Sequence, residues 1–309
     1  MRKYPYLIII VFLYSIILYH NTLHVPFYLD DYSGIAENTG IRDIQSFIFP
    51  EGKRNPTQQG TRFIGFLSFA INYHLNGLEV EGYHIVNIIV HALAGVLVYL
   101  LTFMLTDTPV VKFSEQDRRN VAFLTALLFL SHPVQTQAVT YIIQRLASMA
   151  GMFYLASIVF YLRFRRAVSK GPVWYLLSIF MALLATFTKE ITFTLPFMIL
   201  LIEFIFYGRQ EKQKFLRMSP YFVIALLIPL TLISSRSNVQ SYDTVFRAET
   251  DIDRLTYLLT ETRVLLTYFR ILLYPAGQRL FYDFPLYHSI TDPQVMLALG
   301  VNLSLIGIG

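Results

Sequence analysis

No cysteine occurs among the 309 residues, so disulfides and thiolate metal ligands are excluded. Charge is scarce too: 15% of the chain is Asp, Glu, Lys or Arg, against 55% hydrophobic residues and a mean hydropathy of +0.50. Such a chain has too few charges to solvate a water-soluble surface of this size. The class it predicts is a polytopic membrane protein, all-α, built from bilayer-crossing helices. The net charge of +5 comes from short basic clusters, and no stripe of Lys and Arg suits nucleic acid. There is no low-complexity tract, no Gly/Ser linker and no internal repeat with a period of about 20–50 residues. One membrane domain over 1–309 is the simplest account.

Apolar runs lie at 6–24, 83–106, 119–131, 146–162, 172–188, 191–207, 219–234 and from 295 to the end. With a ninth at 255–275, they predict about eight or nine membrane helices, since roughly 20 apolar residues cross the hydrocarbon. The ninth carries Glu261, Arg263 and Arg270, charges that suit a re-entrant or interfacial helix as well as a span. The last run holds only about 15 residues, short for a span, which leads us to expect that the full protein continues. The first run is longer than a signal-peptide core and no small-x-small cleavage site follows it, so it reads as a retained helix.

Basic residues set the expected orientation. Arg2 and Lys3, the loop Lys112 to Arg119, the cluster Arg163/Arg165/Arg166/Lys170 and the cluster Arg209/Lys212/Lys214/Arg217 hold just over half of the 25 Lys and Arg. These ends, with the amino terminus, are expected inside. Segment 25–82 has four basic residues against seven acids and is expected outside, as the first outer loop. Residues 61–75 within it predict a helix with an apolar stripe of Phe63, Phe66, Leu67, Ala70 and Ile71. Ser68 and Asn72 fall off that stripe, the pattern of a helix lying on a membrane surface.

The unusual polar groups gather at the outward ends. Asp30 and Asp31 follow the first run; His84, Asn87 and His91 open the second on one helical face; His132 and Arg145 flank the polar stretch 131–145; Lys189 and Glu190 interrupt two runs; Arg236 ends another. Read as one helix from Pro133, the polar stretch puts Gln137, Thr140, Gln144 and Ser148 on one stripe, with Val134, Ala138, Ile142 and Met149 on another, an amphipathic pattern at a membrane border. Groups converging from separate parts of the chain make a site on one membrane face. Their chemistry suits transfer from a membrane-bound phospho-sugar. A carboxylate deprotonates an acceptor hydroxyl while Arg and Lys hold the phosphate leaving group.

Each piece also has a plainer account. Adjacent acids after a helix serve equally as a solvated turn or an N-cap. His84 and His91 are two turns apart, beyond the i, i+4 spacing of a helical metal pair, which favours hydrogen bonding in the core. Lys189 and Glu190 suit a mutual surface ion pair. Arg145 suits a structural anchor, although a polar stripe leading into an apolar helix argues for function. No residue set nominates a metal, and a divalent cation is left open.

Five motifs, in order, carry a resemblance: Leu29-Asp-Asp-Tyr32; Leu67-Ser-Phe-Ala-Ile-Asn-Tyr73 leading to Gly82-Tyr-His-Ile-Val-Asn-Ile-Ile-Val-His-Ala92; His132-Pro-Val-Gln-Thr-Gln-Ala-Val-Thr-Tyr-Ile-Ile-Gln-Arg145; Lys189-Glu-Ile-Thr-Phe-Thr-Leu-Pro196; and Tyr268-Phe-Arg-Ile-Leu-Leu-Tyr-Pro275 leading to Tyr282-Asp-Phe-Pro-Leu-Tyr-His-Ser289. The chain resembles bacterial relatives of the transmembrane and tetratricopeptide-repeat O-mannosyltransferases, in the C-type glycosyltransferase superfamily. The resemblance implies a bacterial inner-membrane enzyme that uses a polyprenyl-phosphate-linked sugar. It implies outward-facing, inverting transfer, often to Ser or Thr hydroxyls of a secreted or membrane protein. By position Asp31, with Asp30 beside it, is the expected base. His132, Arg145, Lys189 and Arg236 are expected on the donor phosphate, with Glu190, Gln137, His84, Asn87 and His91 lining the pocket. The family often has Glu where this chain has Gln137, which weakens a second-carboxylate mechanism or a metal there. Its tetratricopeptide repeats are absent from these 309 residues. A lipid-sugar flippase would also place charge near membrane depth, but it predicts inverted repeats. A non-catalytic envelope-assembly scaffold leaves the convergence of outward acids and bases unexplained.

Overall fold

The computed structural model describes residues 5–49, 62–108, 110–207, 214–234, 252–280 and 282–308. Arg236 lies outside them. The described residues form helices and turns with no strand. Where one domain is expected, the chain divides into two compact units, Met1–Ser234 and Ser235–Gly309.

The first unit is a helix bundle. It contains α1 (Pro5–Tyr19), α2 (Ile44–Ile48), α3 (Phe63–Asn76), α4 (Val80–Leu105), α5 (Glu115–Ser131), α6 (Thr136–Thr140), α7 (Arg145–Arg166), α8 (Gly171–Thr186), α9 (Leu195–Phe206) and α10 (Lys214–Ser234). Sequence signals mark several starts. Ser114 Oγ accepts the Asp117 N–H at 3.2 Å ahead of α5, whose first turn is acidic, and Pro opens α8 and α9, where a missing N–H costs no helical hydrogen bond.

Helix α4 packs against α1, α5 and α7, and α7 against α8. Val11, Tyr99, Ala122, Ala126 and Leu130 fill the space between α1, α4 and α5. Between α7 and α8, Ser157 Oγ donates to Ser178 O at 2.9 Å and Ser178 Oγ to Ser157 O at 2.6 Å. Small residues let these two backbones approach, and each hydroxyl satisfies the other helix's carbonyl.

Among the described residues two helices, Val80–Leu105 and Ile142–Arg166, are long and apolar enough to cross a membrane; Tyr6–Thr22, Gly171–Thr186, Phe215–Thr231 and Pro293–Leu305 are apolar but shorter. The outward faces are apolar as well: Ile9, Leu13 and Ile17 in α1, Leu124 and Leu128 in α5, and Phe197, Leu201 and Ile205 in α9 are exposed.

One end of the bundle gathers the C-terminal ends of α1, α5 and α8 with the N-terminal ends of α4, α7 and α9. Asp30, Arg145 and Lys189 are at this end. The basic clusters are at the other, where Asp107 pairs with Arg118 and, at 2.9 Å, with Arg166, and Arg165 pairs with the buried Glu203 at 2.7 Å. Helix α3 turns one face into the protein. Its Phe66, Phe69 and Ala70 are buried with Tyr83, Ile142 and Leu146, and the off-stripe Asn72 is 3% exposed. A donor for the Asn72 Oδ1, Arg145 Nη1, exists only once α7 is in place.

The second unit contains α11 (Arg254–Leu273), capped by Asp253 Oδ1, which accepts the Thr256 N–H at 2.8 Å, and α12 (Pro293–Ile308). The two pack together around Leu259, Tyr287 and Val295.

Candidate functional site

The polar stretch after Ser131 is not one helix. A 3-10 turn, Pro133–Gln135, leads into the five-residue α6; Tyr141 is extended (φ −87°, ψ 110°); a second 3-10 turn, Ile142–Gln144, precedes α7. The two stripes expected of a continuous helix are therefore cut at Tyr141. Groups from elsewhere in the chain replace the lost helical hydrogen bonds. The Ile143 N–H donates to Asp31 Oδ1 at 2.7 Å, and Asn87 Nδ2 donates to Val139 O at 3.1 Å and to Ile142 O at 3.4 Å.

The Asp30–Asp31 turn is fastened to this break. The Tyr28 N–H donates to Asp31 Oδ2 at 3.3 Å, the Asp30 N–H to Tyr141 Oη at 2.9 Å, and the Tyr28 and Tyr141 rings stack 4.6 Å apart. Leu29 enters the turn at φ 48°, a left-handed conformation rare outside glycine, and such strain clusters at functional sites. A π-helical turn, Tyr32–Ala36, follows. In it Gly34 leaves room for Ile143, whose Cδ1 would lie 2.6 Å from a Cβ there.

The two acids are not equivalent. Asp31 is fully buried, 0% exposed, with each oxygen on a backbone N–H, whereas Asp30 is exposed. Access therefore belongs to Asp30, not to the Asp31 named first from sequence. Burial pushes the Asp31 carboxyl up to about 6; the N–H groups of Ile143, Tyr28 and Ile142 oppose the rise and the Asp30 charge adds to it. Burial pushes the Tyr141 phenol up to about 12; the Asp30 N–H opposes the rise, and the Asp30 side chain and the Asp31 charge add to it.

The Asp31 shift has a measurable consequence. Its carboxyl titrates near 3.8 when exposed and about 6 when folded, so the folded state holds the proton more tightly. The stabilisation is complete below about pH 4 and is lost as pH rises through about 6. The stability difference between wild type and Asp31→Asn in unfolding titrations should change across that window and be flat above about pH 7. A flat difference throughout would show that Asp31 does not titrate there.

Arg145 lies in the core, 0% exposed. Its Nε donates to Asn87 Oδ1 at 2.6 Å, Nη1 to Asn72 Oδ1 at 2.7 Å and to Ser68 O at 3.4 Å, and Nη2 to Tyr83 O at 2.8 Å. The guanidinium lies 4.5 Å from the centre of the Phe69 ring, and no carboxylate forms an ion pair with it among the described residues. The arginine expected on the donor phosphate thus joins α3, α4 and α7. His84 and His91 are buried too, Nε2 of each on a carbonyl, Val25 O at 2.8 Å and Leu130 O at 3.2 Å. With Asn87 they fasten neighbouring segments to α4 from within the core instead of lining an open pocket. His132 caps the first 3-10 turn, its Nδ1 accepting the Val134 N–H at 3.2 Å, and Gln137 is exposed.

Lys189 and Glu190 sit where the N-terminus of α3 docks on the α8–α9 junction, the Ile64 N–H donating to Phe187 O at 2.7 Å. Arg62 Nε donates to both Glu190 oxygens, at 3.0 and 3.3 Å. Burial, then the Arg62 charge, lowers the Lys189 pKa, with Glu190 opposing. Two cations and one carboxylate leave net positive charge here, suited to an anion. Sequence reasoning missed Arg62 and Tyr141. Arg62 precedes an apolar stripe that drew the attention, and Tyr141 is inside the quoted polar motif but matters only because the helix breaks at it. No group of three or more His, Asp or Glu side chains suited to a metal ion occurs among the described residues.

No family model matches the chain, and no solved structure does. It is 28% identical over 186 residues to protein O-mannosyl-transferase TMTC3 of Mus musculus, covering 56% of this chain and 18% of that protein. To protein O-mannosyl-transferase TMTC1 of Homo sapiens it is 31% identical over 196 residues, 57% of this chain and 21% of the other. To protein O-mannosyl-transferase F38B6.6 of Caenorhabditis elegans it is 28% identical over 233 residues, 72% and 31% respectively. The chain spans less than a third of the length of these relatives.

Proposed function

We propose that this chain is a membrane glycosyltransferase that moves a sugar from a polyprenyl-phosphate donor to a hydroxyl of a protein acceptor. The observation that carries the reading is the Asp30–Asp31 turn: an exposed carboxylate beside a buried one, held in a strained loop at the same end of the bundle as the Arg62/Lys189 cations. The similarity to proteins named protein O-mannosyl-transferases supports the reaction class. Exposed apolar stripes around the bundle support a lipid surrounding, with the Asp30 end outside and the basic end inside.

The roles follow from burial. Asp30, with access to solvent, takes the proton from the acceptor hydroxyl as that oxygen attacks the sugar's anomeric carbon. Asp31 positions the turn, and Tyr141, kept neutral, donates to the carboxylate side of it. Lys189 and Arg62 offset charge on the departing phosphate. A single displacement of this kind inverts the anomeric centre. Glu190 orients Arg62. His84, Asn87, His91 and Arg145 hold the backbone on which the turn rests. Gln137 and His132, at the same end, are assigned to the acceptor or donor wall.

The test is to incubate the purified chain with a radiolabelled polyprenyl-phosphate sugar and acceptor peptides rich in Ser and Thr. Label transferred to peptide supports the reading. Label that crosses a liposome without transfer would sink it in favour of a flippase.

A further inference from the structure

The second unit holds charge that the Asp30 end does not use. A cleft of about 410 Å³ opens between α11 and α12, lined by Arg263, Leu266, Thr267 and Arg270 from one helix and Gln294 and Leu297 from the other. Arg263 and Arg270 are two helical turns apart, so they share a face, and Thr267 lies between them on it. Arg263 Nη1 donates to Thr267 Oγ1 at 3.3 Å and Arg270 Nη1 to Ala276 O at 3.1 Å. Among the described residues, no acidic side chain lines the cleft. Glu261, the one acid within α11, falls on the opposite side of the helix from Arg270 at 100° per residue.

Two guanidiniums, a hydroxyl and an amide around one cavity form a donor-rich site, with no counter-carboxylate among the described residues. Arginine forks match the geometry of phosphate oxygens, whereas a neutral sugar would need acceptors as well as donors. The rest of both helices supplies the second half of the ligand. Leu273, three residues beyond Arg270 on α11, and Val301, one turn beyond Leu297 on α12, are exposed beside the cleft, and Leu266 and Leu297 line the cleft itself. A charged cavity walled by leucine and surrounded by exposed apolar side chains fits an amphiphile better than a free ion.

We propose that the α11–α12 cleft binds the phosphate of a phosphate-headed lipid through Arg263 and Arg270, with the acyl or prenyl chain along the apolar helix faces. The inference rests on the membrane reading above but not on the transfer chemistry.

The test uses the full chain in detergent and follows the rise in unfolding temperature on adding polyprenyl monophosphate, with phosphatidylcholine as a control lipid and inorganic phosphate as the free ion. Stabilisation by a bound ligand converts directly into apparent affinity. Arg263→Gln and Arg270→Gln should each weaken affinity for polyprenyl monophosphate about tenfold or more, since a charge-assisted hydrogen bond is lost in each. The double variant should lose about a hundredfold. Arg270→Lys, which keeps the charge but not the fork, should fall between wild type and Arg270→Gln, and it guards against a fold defect in the Gln variant. Wild-type affinity in the double variant would overturn the site. Inorganic phosphate binding as tightly as the lipid would overturn the lipid assignment. A wild-type chain that binds the lipid through these arginines yet transfers no sugar would defeat the proposed enzyme and leave this cleft standing.

Discussion

Replacing Asp30 with Asn is expected to lower sugar transfer by about 10²–10⁴-fold, the usual contribution of a general base, while leaving the unfolding temperature unchanged. Asp30 is exposed; its backbone N–H on Tyr141 Oη is retained in Asn, and the Asn amide oxygen can still accept from that phenol in place of the carboxylate. Asp31→Asn should behave differently. One Asp31 oxygen accepts the Ile143 N–H and the other the Tyr28 N–H, so an amide NH₂ in place of an oxygen faces one of those N–H groups. A donor against a buried donor costs about 1–3 kcal/mol and loosens the turn. Asp31→Asn should therefore lose stability and activity together, and Asp31→Glu should not restore either, because the longer side chain does not fit the clamp. Measuring kcat and unfolding temperature for the three variants separates the roles. An Asp30→Asn protein with normal turnover, beside a stable and inactive Asp31→Asn protein, would move the base to Asp31.

The second large effect is expected at Arg145. Its four acceptors, on Asn87, Asn72, Ser68 and Tyr83, come from α3 and α4 and are reached by one planar group. Arg145→Met removes the donors and leaves these acceptors buried, at about 1–3 kcal/mol for each that finds no substitute. The sum is comparable with the stability of a typical domain, about 5–15 kcal/mol, so little folded protein should be recovered. Arg145→Lys keeps the charge, but three tetrahedral N–H groups cannot span the same acceptors, and its unfolding temperature should fall strongly too. Donor affinity, measured on whatever folds, should stay near wild type. An Arg145→Lys protein as stable as wild type, with donor affinity lost, would return Arg145 to the phosphate.

Much of this molecule was legible from residue order because a bilayer-like composition leaves few options. Runs of apolar residues without charge form helices, since a chain surrounded by hydrocarbon must satisfy its backbone internally. The runs at 83–106, 146–162 and 172–188 are accordingly found as α4, α7 and α8. The ion pairs at the far end, around Asp107 and Glu203, lie among the basic clusters that the sequence marks. The residues of interest were legible too, since polar groups in apolar surroundings stand out one by one.

Their roles were not. Periodicity reads Pro133 to Met149 as one amphipathic helix, yet hydrogen bonds from Asn87 and to Asp31, 50 or more residues away in the chain, make it better for the backbone to break at Tyr141. Pattern reasoning has no access to such partners. The same holds for Arg145, whose charge says only that something must receive it. Whether that is a ligand or the protein depends on Asn72 and Asn87, which α3 and α4 bring to it. Of two adjacent aspartates, composition cannot choose the exposed one. The sequence by itself determined an all-helical chain with a polar end and the residue types gathered there. Only the tertiary structure decided which of them turn inward to hold the backbone and which face the surface, because burial and hydrogen-bond partners are properties of the packed helices and not of any stretch of residues.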